Sequence, residues 1–209
     1  MFGPTDSLPL GGVLVGGQSR RFGSDKAVAH VGDRSLAAWA VHALREVADP
    51  VVLLGGYGTL ARRMALPWRG DARPGRGPLS GIAVGLKWAA ESERDGLLVL
   101  ACDLPLVPAE VMRAIASAAR PDVDAVVAGT GDEDEPQPLC AWYGAGALPS
   151  VEARLDRGAY AVRGLLADLR VVQVRVADDI ERASALLLNV NTPDDLAVAR
   201  RYVPTGRDR

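Results

Sequence analysis

Three cationic side chains, Arg20, Arg21 and Lys26, follow the pair Gly16-Gly17 in the stretch Leu14-Val15-Gly16-Gly17-Gln18-Ser19-Arg20-Arg21-Phe22-Gly23-Ser24-Asp25-Lys26. Glycines let backbone N–H groups come close to phosphate oxygens, and Arg and Lys neutralise the charge that builds as pyrophosphate leaves. Such a loop can wrap a polyphosphate. It is not a P-loop, because Gly17 and Gly23 enclose five residues and Lys26 does not follow Gly23 directly. No G-x-G-x-x-G fingerprint occurs in it either.

Three further clusters carry polar groups. In Leu100-Ala101-Cys102-Asp103-Leu104-Pro105 an apolar run ends in one carboxylate. Asp103 is placed either to hold Mg²⁺, which prefers oxygen ligands and phosphate partners, or to serve as a turn or cap residue before Pro105. Gly75-Arg76-Gly77-Pro78-Leu79-Ser80-Gly81, with Asp71 upstream, precedes helical composition, so that backbone around Gly77, Pro78 and Leu79 can meet a base or ribose, or form a stiff turn. In Leu188-Asn189-Val190-Asn191-Thr192-Pro193-Asp194-Asp195, Thr192, Pro193 and Asp195 read as a helix cap and first turn. Asn189 and Asn191, alternating at an expected strand end, need partners, because buried amides are costly when they bond nothing.

The elements that must hold these clusters follow from the apolar patterning. Leu10 to Val15, Val51 to Leu54 and Gly96 to Ala101 are aliphatic on both faces, as buried parallel strands are. Asp124 to Ala128, Leu139 to Tyr143 and Val171 to Val176 are expected as further strands. Ser35 caps a helix whose apolar positions Leu36, Trp39, Ala40, Ala43, Leu44 and Val47 recur at helical spacing. Ile82 to Ala90, Val111 to Ala119 and Pro193 to Tyr202 are expected as helices, and Arg69 to Pro78 and Gly129 to Pro138 as sizeable loops. Alternating strands and helices imply right-handed crossovers onto a mainly parallel sheet, hence a doubly wound three-layer α/β/α sandwich. In such folds ligands sit outside the carboxyl ends of the strands, where these clusters can converge.

Composition narrows the function classes. The 209 residues are 48% hydrophobic, enough for one full core, expected over residues 10–203 between a flexible segment 1–9 and a tail 204–209. A formal charge of -2 supplies no broad positive field for nucleic acid. Cys102 and Cys140 are too few and too far apart for a disulfide framework or a zinc site, which fits a reducing, cytoplasmic setting. No apolar run approaches the roughly 18 residues of a membrane span.

Taken in order, Gly16 to Lys26, Gly77 to Gly81, Cys102 to Pro105 and Asn189 to Pro193 resemble the four motifs of the molybdenum cofactor guanylyltransferases, the MobA proteins. These lie within the nucleotidyltransferases of Rossmann-like fold, and the match covers most of the chain. The resemblance implies a Mg²⁺-dependent transfer of GMP from GTP to molybdopterin, giving the guanine dinucleotide cofactor and pyrophosphate. It implies Lys26, Arg20 and Asp103 as catalytic residues and Asp103 as the metal ligand. Leu14, Val15, Gly16, Gly17, Lys26, Asp71, Gly77, Pro78, Leu79 and Asp103 would contact the nucleotide, and Asn189 and Asn191 the pterin or pyrophosphate side. Cofactor-insertion proteins or molybdoenzymes would receive the product.

The chain departs from the family at four places. Val15 and Phe22 replace a common Ala and Met; Gly55-Gly56-Tyr57 stands where an Asn-Arg pair often contributes to base recognition; Gln137-Pro138 replaces a His-Pro segment. The related cytidylyltransferases usually carry Ala-Ala-Gly and Asp-Gln-Pro where this chain has Val15-Gly16-Gly17 and Asp103-Leu104-Pro105, which favours a guanine nucleotide. Cytidylyl transfer to the same cofactor, another small-phosphate nucleotidyl transfer, and a non-catalytic nucleotide-binding assembly partner are the alternatives.

Overall fold

A computed structural model describes residues 8–16, 26–130 and 136–203. Its centre is a seven-stranded sheet formed by β1 (Leu10–Leu14), β4 (Val51–Leu54), β5 (Trp68–Arg69), β6 (Gly96–Ala101), β7 (Ala125–Gly129), β8 (Gln137–Gly144) and β9 (Val171–Arg175). The order is β5-β4-β1-β6-β8-β7-β9, and only β8 runs against the others. Two short strands, β2 (His30–Val31) and β3 (Arg34–Ser35), pair separately as a ribbon.

The helices are α1 (Leu36–Arg45), α2 (Gly58–Met64), α3 (Pro78–Glu91), α4 (Ala109–Ser117), α5 (Leu148–Asp156), α6 (Val162–Leu166), α7 (Ile180–Leu186) and α8 (Pro193–Ala199). Adjacent residues of a strand face opposite sides of a sheet, and β1 shows which helix covers each side. A Cβ on Gly11 would lie 2.8 Å from Ala48 Cβ and 3.6 Å from Leu44 Cβ, on the α1 side. A Cβ on Gly12 would lie 2.5 Å from Leu54 Cδ1 and 2.9 Å from Leu97 Cδ1, two leucines that also crowd Gly85 of α3. Helices α1 and α4 pack together, and so do α3 and α5. The doubly wound three-layer expectation therefore holds.

How α3 seats itself matters for the site. Gly81 and Gly85, four residues apart on one helical face, touch Leu14 and the Leu54–Leu97 pair where a Cβ would come within 2.5 Å. Glycine at both positions lets the helix axis approach the sheet closely. That brings its first turn to the carboxyl edge of β1 and β4.

A second, smaller core of Val31, Leu36, Val190, Leu196, Ala199 and Val203 fastens β2, the start of α1 and α8 to one another. Trp39 reinforces it by donating from Nε1 to the Val31 carbonyl at 2.8 Å. At the far edge, Arg170 donates to both carboxylate oxygens of Asp124, which holds that carboxyl down at about 2 and ties β7 to β9. Among the described residues, no helix is long and apolar enough to cross a membrane.

Candidate nucleotide and phosphate site

Three parallel strands end side by side. Leu14 aligns with Leu54 on one side and Ala101 on the other, and the ladder continues with Val15 N donating to Leu54 O at 3.1 Å and Cys102 N to Leu14 O at 3.1 Å. Val15-Gly16, Gly55-Gly56 and Cys102-Asp103 thus emerge together at the carboxyl edge, the ligand-binding edge of such sheets.

One half of the site is built from missing side chains. A Cβ on Gly16 would sit 3.1 Å from Gly56 N and 3.5 Å from Asp71 Oδ2; one on Gly56 would sit 3.1 Å from Val15 O. Gly55 and Gly56 have φ of 76° and 58°, the left-handed region that favours glycine. Asp71 faces this patch, its Oδ1 3.2 Å from where a Gly55 Cβ would lie. Burial pushes the Asp71 carboxyl above its ordinary range, and a hydrogen bond with Ser80 pulls it part of the way back. Ser80 is itself buried in the first turn of α3, and its Oγ accepts from Arg73 N at 3.3 Å.

Gly77 caps that helix at φ 67°, with open space where a Cβ would project, and Pro78 follows at the first helical position. Ser80 N donates to Gly77 O at 3.2 Å, which closes the first turn. Leu14 and Leu79 are buried in the core. They can offer a ligand only backbone.

The other half is built from charge. Lys26 begins a 3₁₀ turn, Lys26–Val28, just before β2. Its Nζ donates to Asp103 Oδ2 at 2.9 Å and to Asn191 Oδ1 at 2.9 Å, joining three segments far apart in sequence. The Lys26 and Asp103 side chains are only 16% and 20% exposed, so this pair is not an ordinary surface salt bridge.

Asn191 is held in turn by α8. The Asp195 carboxylate accepts from Asn191 N at 2.9 Å and Thr192 N at 2.8 Å, while Thr192 Oγ1 accepts from Asp195 N at 3.1 Å, a capping box. These contacts, led by the Asn191 amide and aided by the Lys26 charge, hold the Asp195 carboxyl below its usual range. Val190 N donates to Asp103 O at 2.8 Å, which stitches the segment to the end of β6.

Asp103 Oδ1 is buried and, among the described residues, has no hydrogen-bond partner. A buried carboxylate oxygen is costly to leave so, and it is an oxygen donor of the kind a hard cation takes. Among the described residues no cluster of three or more His, Cys, Asp or Glu could form a metal cage. Mg²⁺ needs none, since it is commonly held by one or two carboxylates with waters and substrate phosphates completing the shell. The donor set of Asp103 Oδ1 with the Asn191 amide oxygen close by fits that ion.

The expected residues therefore divide as follows. Val15, Gly16, Asp71, Gly77 and Pro78 gather on the glycine side, with Leu14 and Leu79 beneath them; Lys26, Asp103 and Asn191 gather on the charged side. Gly17 and Arg20 lie outside the described residues. Asn189 and Asn191 stand in an irregular segment between α7 and α8, not at a strand end as expected, and Asn191 is the one that reaches Lys26. Sequence reasoning missed Gly55 and Gly56 as part of the floor and Asp195 as the anchor of Asn191. The alignment of Gly55-Gly56 with Gly16 one strand away was the available signal.

Comparison with known proteins places the chain in a family. The model of the MobA-like NTP transferase domain matches residues 11–174. A Pelotomaculum thermopropionicum protein named probable molybdenum cofactor guanylyltransferase is 35% identical over 94% of each chain. A Cereibacter sphaeroides molybdenum cofactor guanylyltransferase is 30% identical, over 91% of this chain and 94% of its own. The crystal structure of molybdopterin-guanine dinucleotide biosynthesis protein A from Archaeoglobus fulgidus superposes with a TM-score of 0.71 at 25% identity, covering 92% of this chain and 97% of that one. With a strand-edge site of this shape, and a family model spanning the three strands that build it, the chain belongs to the MobA-like NTP transferase family.

Proposed function

We propose that this chain transfers GMP from GTP to molybdopterin, forming the guanine dinucleotide cofactor and releasing pyrophosphate. The observation that carries the reading is the placement of Lys26 Nζ against Asp103 and Asn191 at the end of the central strand, beside the glycines that end β1 and β4. The substrate pair is supported by the names of relatives that match the chain almost end to end.

In this reaction a terminal phosphate oxygen of molybdopterin attacks the α-phosphorus of GTP. The bond from that phosphorus to the bridging oxygen of the β-phosphate breaks, and its electron pair leaves with pyrophosphate. The attacking oxygen is already anionic at neutral pH, so no general base is required, and positioning plus charge stabilisation carry the rate. Lys26 neutralises charge on the phosphates, and Asp103 and Asn191 keep its ammonium aimed. Arg20, in the same sequence motif, would assist.

Asp103, with Asn191 beside it, would hold Mg²⁺, which when bound supplies further charge neutralisation at the phosphates. The glycine floor and Asp71 take the base, whose donor edge suits a carboxylate. The cytoplasm is the setting we assign, supported by the chain carrying only two cysteines, Cys102 and Cys140, both buried. Molybdoenzymes or cofactor-insertion proteins would receive the product.

The test is incubation with Mg²⁺, molybdopterin and each NTP in turn, with products identified by mass. Guanine dinucleotide and pyrophosphate from GTP, with little product from CTP or ATP, is expected. Equal product from CTP would make the chain a cytidylyltransferase; nucleotide binding without pyrophosphate would make it a carrier.

A further inference from the structure

The glycine side of the site is tied to the sheet edge by one aromatic residue. Trp68 opens β5, and its indole Nε1 donates to the Gly55 carbonyl at 2.8 Å. The register of β4 and β5 pairs Leu53 with Trp68 and Leu54 with Arg69, and Gly55 N donates to Arg69 O at 2.9 Å. Both backbone polar groups of Gly55 are thereby held by two consecutive residues of the edge strand.

The ring itself is seated between glycines. A Cβ on Gly58 would come within 3.1 Å of it on one side, and a Cβ on Gly70 within 3.1 Å on another. Side chains at either position would press on the indole. Yet Trp68 is 40% exposed, so core burial alone does not account for so large a side chain on a two-residue edge strand.

What the indole holds is a turn that cannot hold itself. Gly55 and Gly56 are consecutive, both left-handed, and have no side chains to restrict them, so the turn is intrinsically free. A Cβ on Gly55 would lie 3.2 Å from Asp71 Oδ1 and 3.4 Å from Gly16 Cα, and one on Gly56 would lie 3.1 Å from Val15 O, so the turn is packed close to all three. A shift of the turn would therefore alter the base floor and the surroundings of Asp71 together.

We propose that Trp68 is a positioning residue of the nucleotide pocket, its indole N–H fixing the Gly55-Gly56 turn so that this backbone and Asp71 meet the base in one arrangement. The proposal rests on the nucleotidyl-transfer reading and adds to it a residue that touches no substrate. Its consequence is selective: loss of the N–H weakens nucleotide binding but leaves the phosphate machinery around Lys26 intact.

The experiment compares wild type, Trp68→Phe, which keeps a ring and removes the donor, and Gly70→Ala, which presses on the ring without removing it. GTP binding is measured by calorimetry and both KM values by steady-state kinetics. In Trp68→Phe the Kd and KM for GTP should rise about five- to tenfold, the worth of one net hydrogen bond, while kcat and the KM for molybdopterin stay within about twofold. Gly70→Ala should shift the same parameter in the same direction.

Unchanged GTP affinity in folded Trp68→Phe overturns the proposal and leaves the transfer reading standing. So does a loss spread equally over both substrates and kcat, which would mark a structural role only. A wild type that binds no GTP overturns the transfer reading and this inference with it.

Discussion

The two halves of the site are built on opposite principles. Around Gly16, Gly55 and Gly56 the floor exists because side chains are absent, and backbone or the Asp71 carboxylate lies 3.1 to 3.2 Å from where a Cβ would be. Around Lys26, Asp103 and Asn191 the site exists because three polar side chains from distant segments meet within hydrogen-bonding distance. The first half should fail when something is added, and it should fail in selectivity. The second should fail when something is removed, and it should fail in rate.

Lys26→Ala is the severest expected break. A charge aimed at leaving phosphates acts mainly in the transition state, and losing one such donor typically lowers turnover by about 10²–10³. The variant should fold, as judged by thermal unfolding, and lose transfer activity with both GTP and any poorer nucleotide. Near-wild-type turnover in the folded variant would remove Lys26 from the chemistry.

Asp103→Asn comes next. The amide keeps the shape and an oxygen but is a poorer ligand for a hard cation, so the Mg²⁺ titration of activity should move to higher concentration by about tenfold or more, at least what is lost when a metal site's supporting neighbours are removed. An unchanged titration would leave Asp103 a partner of Lys26 alone.

Asp71→Asn sharpens the comparison from the other side, because binding and stability should move in opposite directions. GTP affinity should fall about tenfold if a charged hydrogen bond to the base is lost. Stability should rise at neutral pH. The folded carboxyl is raised above its ordinary 3.8 by burial, so the wild type has its full stability contribution from this group below that pH and loses it as pH rises through the raised value. Thermal unfolding against pH should show the variant and wild type converging below 3.8 and separating above it.

The same contrast decides what was legible in the amino-acid order. Val51–Leu54 and Gly96–Ala101 were expected to the residue, because strands buried on both faces are unbroken apolar runs. Ser35 as the cap of α1 and Thr192 with Asp195 as the capping box of α8 were also readable, being short-range devices. Helix α3 starts at Pro78 and not at the expected Ile82: Gly-Pro reads as a turn, but here Gly77 caps and Pro78 occupies the first helical position. Helix α4 is Ala109–Ser117, two residues earlier than expected, and α8 stops at Ala199.

Helices α2, α5, α6 and α7 and strands β2, β3 and β5 were not foreseen. They are two to nine residues long, too short for periodicity to register. In the site, residue types marked Lys26, Asp103 and Asp71. Which amide meets Lys26 was not legible, since the choice of Asn191 is made by a satellite core and the Asp195 cap. The part played by Gly55-Gly56 was hidden because its signal lies in a neighbouring strand's register, not in its own segment.

The division of labour itself is tested most directly by one quantity, the ratio of kcat/KM for GTP to that for CTP, measured in wild type, Lys26→Ala and Gly16→Ala. A Cβ at Gly16 would meet Gly56 N at 3.1 Å and intrude on the base floor without touching Lys26. The ratio should be large in wild type and fall by about tenfold in Gly16→Ala, the worth of one misplaced methyl-sized group in a pocket. In Lys26→Ala both values should drop together and leave the ratio unchanged. If Lys26→Ala alters the ratio as much as Gly16→Ala does, or if wild type shows no preference for GTP, the two halves do not divide selection from rate.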